Sequence, residues 1–519
     1  MEINKNAELK KCRRLPVAYA ESSCEFTLPD YLGDVKKILI TKADVKPAGR
    51  FVDGESVELP GIVAYNVVYL DSDGDISSVG FSSEYDVKVK CPSDGFVDIV
   101  SETEMSAATV RLVGPRKFSA KSTVKASPRI LECVNNKIEG NAFEKTALPE
   151  KASKRINLES FVCSSTLERE FSESVARIDG AIADEVKIIF PRADARIDTV
   201  TASEGEATVK GELKLSAILK NGDEPAYPLT RSIPFEETVP FDGVSPDTEL
   251  SGRADVVSVT GSVNADDSGS EIVLSVIIEF YVIGVCNSSA EVITDAYMTA
   301  CVTENIYDDM RYTELTALGK ERFTCQGEAD RGTMDIGDIR EILCMDAVAR
   351  IDSAESCDEG VQIGGEILFS GICSETENDG STTYIGVKFA TPFGQNVKCN
   401  CQNWDKNIIE PKVSIHSATG LIDTEKIYGS CDVTIEVLTS AERCERVLSS
   451  SVAREELPYE KRGSTVTVYY PSRGESLFTV AKRFHTTAAA IAENNSLSEA
   501  VIGGDTVSEL VGVKRLLIF

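Results

Sequence analysis

The feature that most constrains this chain is that it repeats itself. The stretches "DVKKIL" (34–39), "EVKIIF" (185–190) and "DIREIL" (338–343) recur at intervals of roughly 150 residues. Each leads into a segment centred on a glycine: "VELPGIVAYNVVYL" (57–70), "TVKGELKLSAIL" (208–219) and "VQIGGEILFSGIC" (361–373), with Gly61, Gly211 and Gly365 in register. In the second copy Val209, Leu213, Leu215, Ala217 and Leu219 share one face of an extended chain, and Lys210, Glu212, Lys214 and Ser216 share the other. A period of two means a half-buried strand. The glycine predicts a bulge or a close backbone approach where a long strand bends.

Each segment ends on a hairpin signal, "DSDGD", "KNGDE" or "ENDGS", since Asn-Gly and Asp-Gly tolerate the positive φ that tight hairpins need. An aromatic and a valine follow at matched spacing: Tyr85 and Val89, Phe235 and Val239, Phe393 and Val397. A second strand-rich half closes each copy, as in "KFSAKSTVKA" (117–126), "IVLSVIIEFYVIG" (272–284) and "IYGSCDVTIEVL" (427–438). Each copy is therefore expected to be one all-β domain of two packed antiparallel sheets. With 519 residues and 42% apolar content, the copies are large enough to hold separate cores, as beads rather than solenoid turns. The expected layout is an N-terminal segment (1–20), three β-sandwich-like repeats (21–150, 151–305, 306–453), a polar linker "REELPYEKRGS" (454–464) and a small C-terminal unit (465–519). The fold class expected is mainly β, with that last unit α+β.

The C-terminal unit has its own grammar. "TVTVYY" alternates as a strand, and Ser476 can cap a helix with apolar positions at Leu477, Val480, Ala481 and Phe484. "HTTAAAIAENN" adds a threonine cap, a short Ala-rich helix and an Asn-Asn stop, and "KRLLIF" is a second strand. The order is β-α-α-β. It resembles a LysM module through Tyr470, Gly474-Glu475-Ser476-Leu477, Val480-Ala481, Thr487, Asn494 or Asn495, Gly512 and Arg515 to Ile518. The three upstream copies are similar to SPOCS repeats, β-rich domains of spore-coat proteins. Three such repeats before a LysM module is the layout of the SipL-type spore-coat morphogenetic proteins.

That resemblance implies a non-enzymatic adaptor of the mother-cell cytoplasm. It would be recruited to the forespore surface, tying the spore coat to the basement-layer ATPase, stage IV sporulation protein A, and to other coat proteins. It also implies where a partner or glycan would sit, in a groove formed by Arg473, Gly474, Glu475, Ser476, Leu477 and Phe478, with Asn494 and Asn495 nearby. Leu477 fits that groove or the core of the unit equally, and Gly474 is equally explained by turn geometry. Many LysM modules bind N-acetylglucosamine-containing glycan, so peptidoglycan is the alternative ligand. Glu475 in place of the usual Asp, the long stretch from Asn495 to Gly512 and Phe519 at the end depart from the family pattern. Strand-rich beads with open edges also offer self-association.

Charge and chemistry-bearing residues narrow the function further. A formal net charge of −30 repels phosphate backbones and argues against nucleic acid. The last 55 residues carry five bases against five acids, so the acidity belongs to the β-rich body. The start, "MEINKNAELKKCRRLPV", has no apolar core of a secretory signal. The longest apolar run, 271–285, is too short to span a membrane and contains Glu279. Fifteen cysteines without a C-x-x-C spacing suggest reduced thiols, most of them buried as small hydrophobes.

Only two histidines exist, His416 and His485, so a nucleophile–base–orienter triad is not expected. Cys399 and Cys401 form a C-x-C without a second ligand pair at zinc spacing. "YLDSDGDISSVG" (69–80), read with Gly74 at the required glycine, puts Tyr69 and Gly80 where a calcium loop needs oxygen ligands. It is expected to be a hairpin turn. No phosphate-binding glycine loop is present in the sequence. No catalytic residue, metal or cofactor is assigned.

Overall fold

The structure is a computed structural model. It describes residues 9–519 apart from 54, 92–95, 135–149, 180–184, 243, 247, 267–268, 333–336, 378–379, 400–406, 459–465, 498–509 and 511. The fold is mainly β, with two short helices among the described residues, both near the C-terminus.

A six-strand pattern recurs three times, with its first strand divided into β1 and β2 and a short β4 added in the first copy. The first copy has β1 (Leu9–Arg14), β2 (Ala18–Thr27), β3 (Val35–Pro47), β4 (Phe51–Asp53), β5 (Ser56–Asp71), β6 (Ile76–Lys90), β7 (Phe96–Gly114) and β8 (Lys117–Val134). The second has β9 (Glu150–Asp179), β10 (Val186–Ser203), β11 (Glu206–Asn221), β12 (Tyr227–Pro240), β13 (Glu249–Asp266) and β14 (Gly269–Tyr297). The third has β15 (Cys301–Asp330), β16 (Asp338–Cys357), β17 (Gly360–Thr376), β18 (Thr382–Lys398), β19 (Asn407–Ile422) and β20 (Lys426–Pro458). The glycine-centred strand is the middle of one sheet in each copy: β3-β5-β6, β10-β11-β12 and β16-β17-β18. A second sheet forms around β8, β14 or β20. In each copy one apolar cluster joins the inner faces of both sheets, for example Val209, Leu213 and Leu215 with Leu274, Val276 and Ile278.

The structure gives the repeated glycines a more specific reason than a bend in their own strand. Gly61, Gly211 and Gly365 stand directly opposite Tyr85, Phe235 and Phe393. A Cβ on Gly365 would lie 2.8 Å from the Phe393 ring and overlap the Arg350 carbonyl. The aromatic thus lies across the glycine, and the bulge falls on the other neighbour, at Ile197/Thr199 in β10 and Ile351/Ser353 in β16. The aromatic and the glycine are one device.

Several expected boundaries fall inside strands. Residues 20/21, 150/151 and 305/306 lie within β2, β9 and β15, and Leu9–Arg14 of the N-terminal segment pairs along β8. The expected linker starts inside β20, where Arg454 pairs with Val302 and Pro458 with Cys301. Backbone groups make a ladder whatever the side chains, so a polar stretch need not end one.

Two strand pairs outrun their sheets. Past Val285, β14 pairs only with β9, down to Tyr297 opposite Glu150. Past Ala441, β20 pairs only with β15. These ribbons pack on each other through Ile156, Leu158, Val292, Met310 and Val447. The C-terminal unit adds β21 (Thr467–Tyr469), α1 (Leu477–Arg483), α2 (Ala488–Asn494) and β22 (Leu516–Ile518), with β21 antiparallel to β22.

Candidate functional site

The C-terminal unit is built from its caps. Ser476 accepts the Thr479 amide at 3.1 Å and starts α1, and Thr487 accepts the Ala490 amide at 3.0 Å and starts α2. Between β21 and α1 the chain turns through Gly474 at φ +87°. Glu475 closes this turn. Its carboxylate accepts the Ser472 amide at 2.8 Å and the Tyr469 hydroxyl at 2.8 Å, and lies 3.0 Å from the Arg483 guanidinium. The Ser472 amide above all, with the Tyr469 hydroxyl and Arg483, holds the Glu475 carboxyl below its ordinary range against the effect of burial. Tyr469 makes these contacts, and its neighbour Tyr470, which stands at the tyrosine of the module resemblance, is exposed.

The eight expected groove residues separate by environment. Ser476, Leu477 and Phe478 are buried, and Glu475 is engaged in the turn. Asn495 clamps α2 to β22, donating to the Leu517 carbonyl at 2.8 Å and accepting its amide at 2.7 Å. Arg473, Gly474 and Asn494 are exposed. Of the facing connection, 498–509 lies outside the described residues, while Leu510 donates its amide to the Glu475 carbonyl at 2.9 Å.

Phe478 does something the sequence did not indicate. Leu477, Val480 and Ala481 face the core of the unit, while Phe478 meets Tyr297 of β14 edge to face at 5.1 Å. Tyr297 donates its hydroxyl to the Thr486 carbonyl at 2.7 Å, and Lys482 reaches Asp295 at 2.6 Å. Asp295 also accepts from Asn305 and Tyr307 of β15, at 2.8 and 2.9 Å. The unit is seated on the ends of the two ribbons by a second face of α1. Phe478 and Lys482, four residues apart, share a stripe turned away from the first, but nothing in that spacing points to Tyr297 or Asp295 as partners. On and next to β21 and β22, Val468 and Tyr470 are 48% and 67% exposed, with Val466 and Phe519 also exposed.

A second site lies where the three copies meet. Leu39, Ile40 and Val68, Ile189, Phe190 and Ile218, and Leu343, Cys344 and Ile372 form one apolar cluster. Beside it opens a cavity of about 1910 Å³. Lys42, Arg192 and Asp346 line it from matching positions, each preceding an alanine that pairs with Tyr65, Leu215 or Phe369. Arg192 lies 4.0 Å from Asp346, and Lys42 lies 4.0 Å from Asp44. Burial lowers the Lys42 ammonium, but the fields of Asp346 and Asp44 outweigh it and hold the group above its ordinary value. Asp194 pairs with His416 at 3.0 Å and accepts the Ser417 amide at 2.7 Å. Burial raises the Asp194 carboxyl, and these partners more than reverse that, leaving it low.

The ring is charge-compensated and bridges copies, which suits holding them together. His416 has a carboxylate partner, and among the described residues no group of three or more His, Cys, Asp or Glu could hold a metal ion. Cys401 lies outside the described residues, and Cys399 is buried. The 69–80 segment forms the β5–β6 turn, with Asp71 accepting the Asp73 and Asp75 amides at 3.0 and 2.8 Å. Among the described residues no helix is long and apolar enough to cross a membrane. Compared with models of known families and with curated proteins, the sequence has no match.

Proposed function

We propose that this chain is a non-enzymatic adaptor in spore-coat assembly, with three SPOCS-like repeats and a LysM-like module. In this reading it works in the mother-cell cytoplasm at the forespore surface, and the module docks on stage IV sporulation protein A. The resemblance in layout supports the setting. The observation that carries protein docking over glycan binding is the division of labour within the module. Glu475, Ser476, Leu477, Phe478 and Asn495 hold the unit together or seat it on the ribbons. Beside the exposed Arg473, Gly474 and Asn494, it presents outward the apolar side chains of Val466, Val468, Tyr470 and Phe519, on and next to β21 and β22. Apolar side chains of this kind gain from burial against protein.

Pull-down with the purified ATPase tests the reading. The full chain should retain the partner, and a chain lacking 466–519 should not. Val468→Asp with Tyr470→Asp should abolish retention while leaving the thermal transition in place. Retention by the truncated chain overturns the docking role of the module. Co-sedimentation of the full chain with insoluble peptidoglycan or chitin, lost in Arg473→Ala with Asn494→Ala, would instead establish the glycan reading.

A further inference from the structure

Of the eleven cysteines whose side chains are described, seven are buried, and two of those stand directly across a ladder. Cys325 of β15 and Cys431 of β20 are register partners. Both face into the core of the third repeat, 8% and 1% exposed. Opposed residues on one face of an antiparallel pair have Cβ atoms about 4.5–5.5 Å apart, and a disulfide takes up about 3.5–4.5 Å. The bond thus needs only a small closing of two strands that are already paired. The next inward pair is Gly327 opposite Gly429, so no Cβ on that side resists the approach.

The need for small side chains here has a packing reason. Phe369 lies flat on the glycine pair: a Cβ on Gly429 would come 2.6 Å from its ring, and one on Gly327 would come 3.0 Å. Tyr65 holds the corresponding place in the first repeat, four residues past the shared glycine. It donates its hydroxyl to Ser122 at 2.9 Å, and the register partner of Ser122 is Ser22, also buried. There the small pair answers a hydroxyl. Phe369 has none, so a buried serine pair would be left without that partner, and the pair here is of thiols, which are small and apolar.

We propose that Cys325 and Cys431 are a reversible disulfide site whose oxidant is hydrogen peroxide, a reagent small enough to enter as the edge strand β15 breathes, and whose reductant is a small thiol, which leaves as its own disulfide. The Cys325 sulfur, the more exposed, attacks the peroxide O–O bond and becomes a sulfenic acid, releasing one water. The Cys431 sulfur then displaces the hydroxyl, which leaves as a second water with the Cys431 proton. Two thiols are oxidised by two electrons, and one peroxide is reduced. Burial raises both thiols, and burial together with the neighbouring Cys325 takes Cys431 to about 12, so oxidation is slow and waits on local opening. Closed, the bond ties β15 to β20, the two strands that run on into the ribbon beneath the C-terminal module.

The test uses the full chain, reduced, then exposed to hydrogen peroxide, alkylated under denaturing conditions and mapped by mass spectrometry. A Cys444→Ser background removes an exposed competing thiol. The expected result is a peptide cross-linked between Cys325 and Cys431, with alkylation lost at both together and restored by dithiothreitol. The urea midpoint of the oxidised chain should also rise. Full alkylation of Cys325 and Cys431 after other cysteines have been oxidised, or bridging of either to a different cysteine, overturns the proposal.

Discussion

Gly365 cannot gain a methyl group without displacing both the Arg350 carbonyl and the Phe393 ring. Gly365→Ala should therefore destabilise by about 3 kcal/mol, the upper part of the overpacking range, read as a lowered urea midpoint. Phe393→Leu should partly relieve it, because the ring is one of the two obstacles. At Glu475 the prediction concerns pH. Its carboxyl is held below the ordinary range, so its stabilisation of the turn is complete above the unfolded glutamate value and is lost as pH falls through the lower folded value. The protection factor of the Leu510 amide, bonded to the Glu475 carbonyl, should fall over that acid window. Glu475→Gln should flatten the dependence; an unchanged pH profile would refute the assignment.

Helix α1 works with two faces, one closing its own unit and one seating it on β14. Phe478→Ala should cost about 3–5 kcal/mol as a large-to-small change in a buried site. A double-mutant cycle with Tyr297→Ala should return a coupling of about 0.5–1.5 kcal/mol for the edge-to-face pair. Zero coupling would mean that the module does not rest there in solution. At this scale the sequence was informative about what is local. Ser476, Thr487 and the core stripe of α1 sit where capping and helical spacing put them. Phe478 was misplaced because its partner lies on a strand 181 residues earlier in the chain, and no local pattern contains that distance. The ends of β9, β15 and β20 were hidden for a related reason, since a ladder persists as long as its partner strand does.

Taken whole, the three copies are not independent beads. They share the apolar cluster around Ile40, Ile189 and Cys344, and polar contacts cross between them. Glu410 of β19 takes a two-point contact from Arg14 of β1 at 3.0 Å and a third from Arg129 at 2.5 Å. Glu410→Ala should cost about 1–2 kcal/mol, since the three side chains are only partly shielded from water. The full chain should unfold its repeats in one transition, and a fragment of 151–305 alone should show a lower midpoint. Separate transitions for the repeats in calorimetry would contradict the shared cluster.

The sequence by itself determined the mainly β character, the threefold recurrence and the capped helices of the last unit, because all three follow from period, turn residues and spacing along a few neighbouring positions. Only the tertiary structure decided that Tyr85, Phe235 and Phe393 cover the repeated glycines, that Lys42, Arg192 and Asp346 converge on one cavity, and that Phe478 belongs to a seat rather than a groove. Each of these depends on which strand lies next to which, and pairing partners far apart in sequence are selected by burial and backbone hydrogen bonding of the whole chain rather than by any residue's own preference.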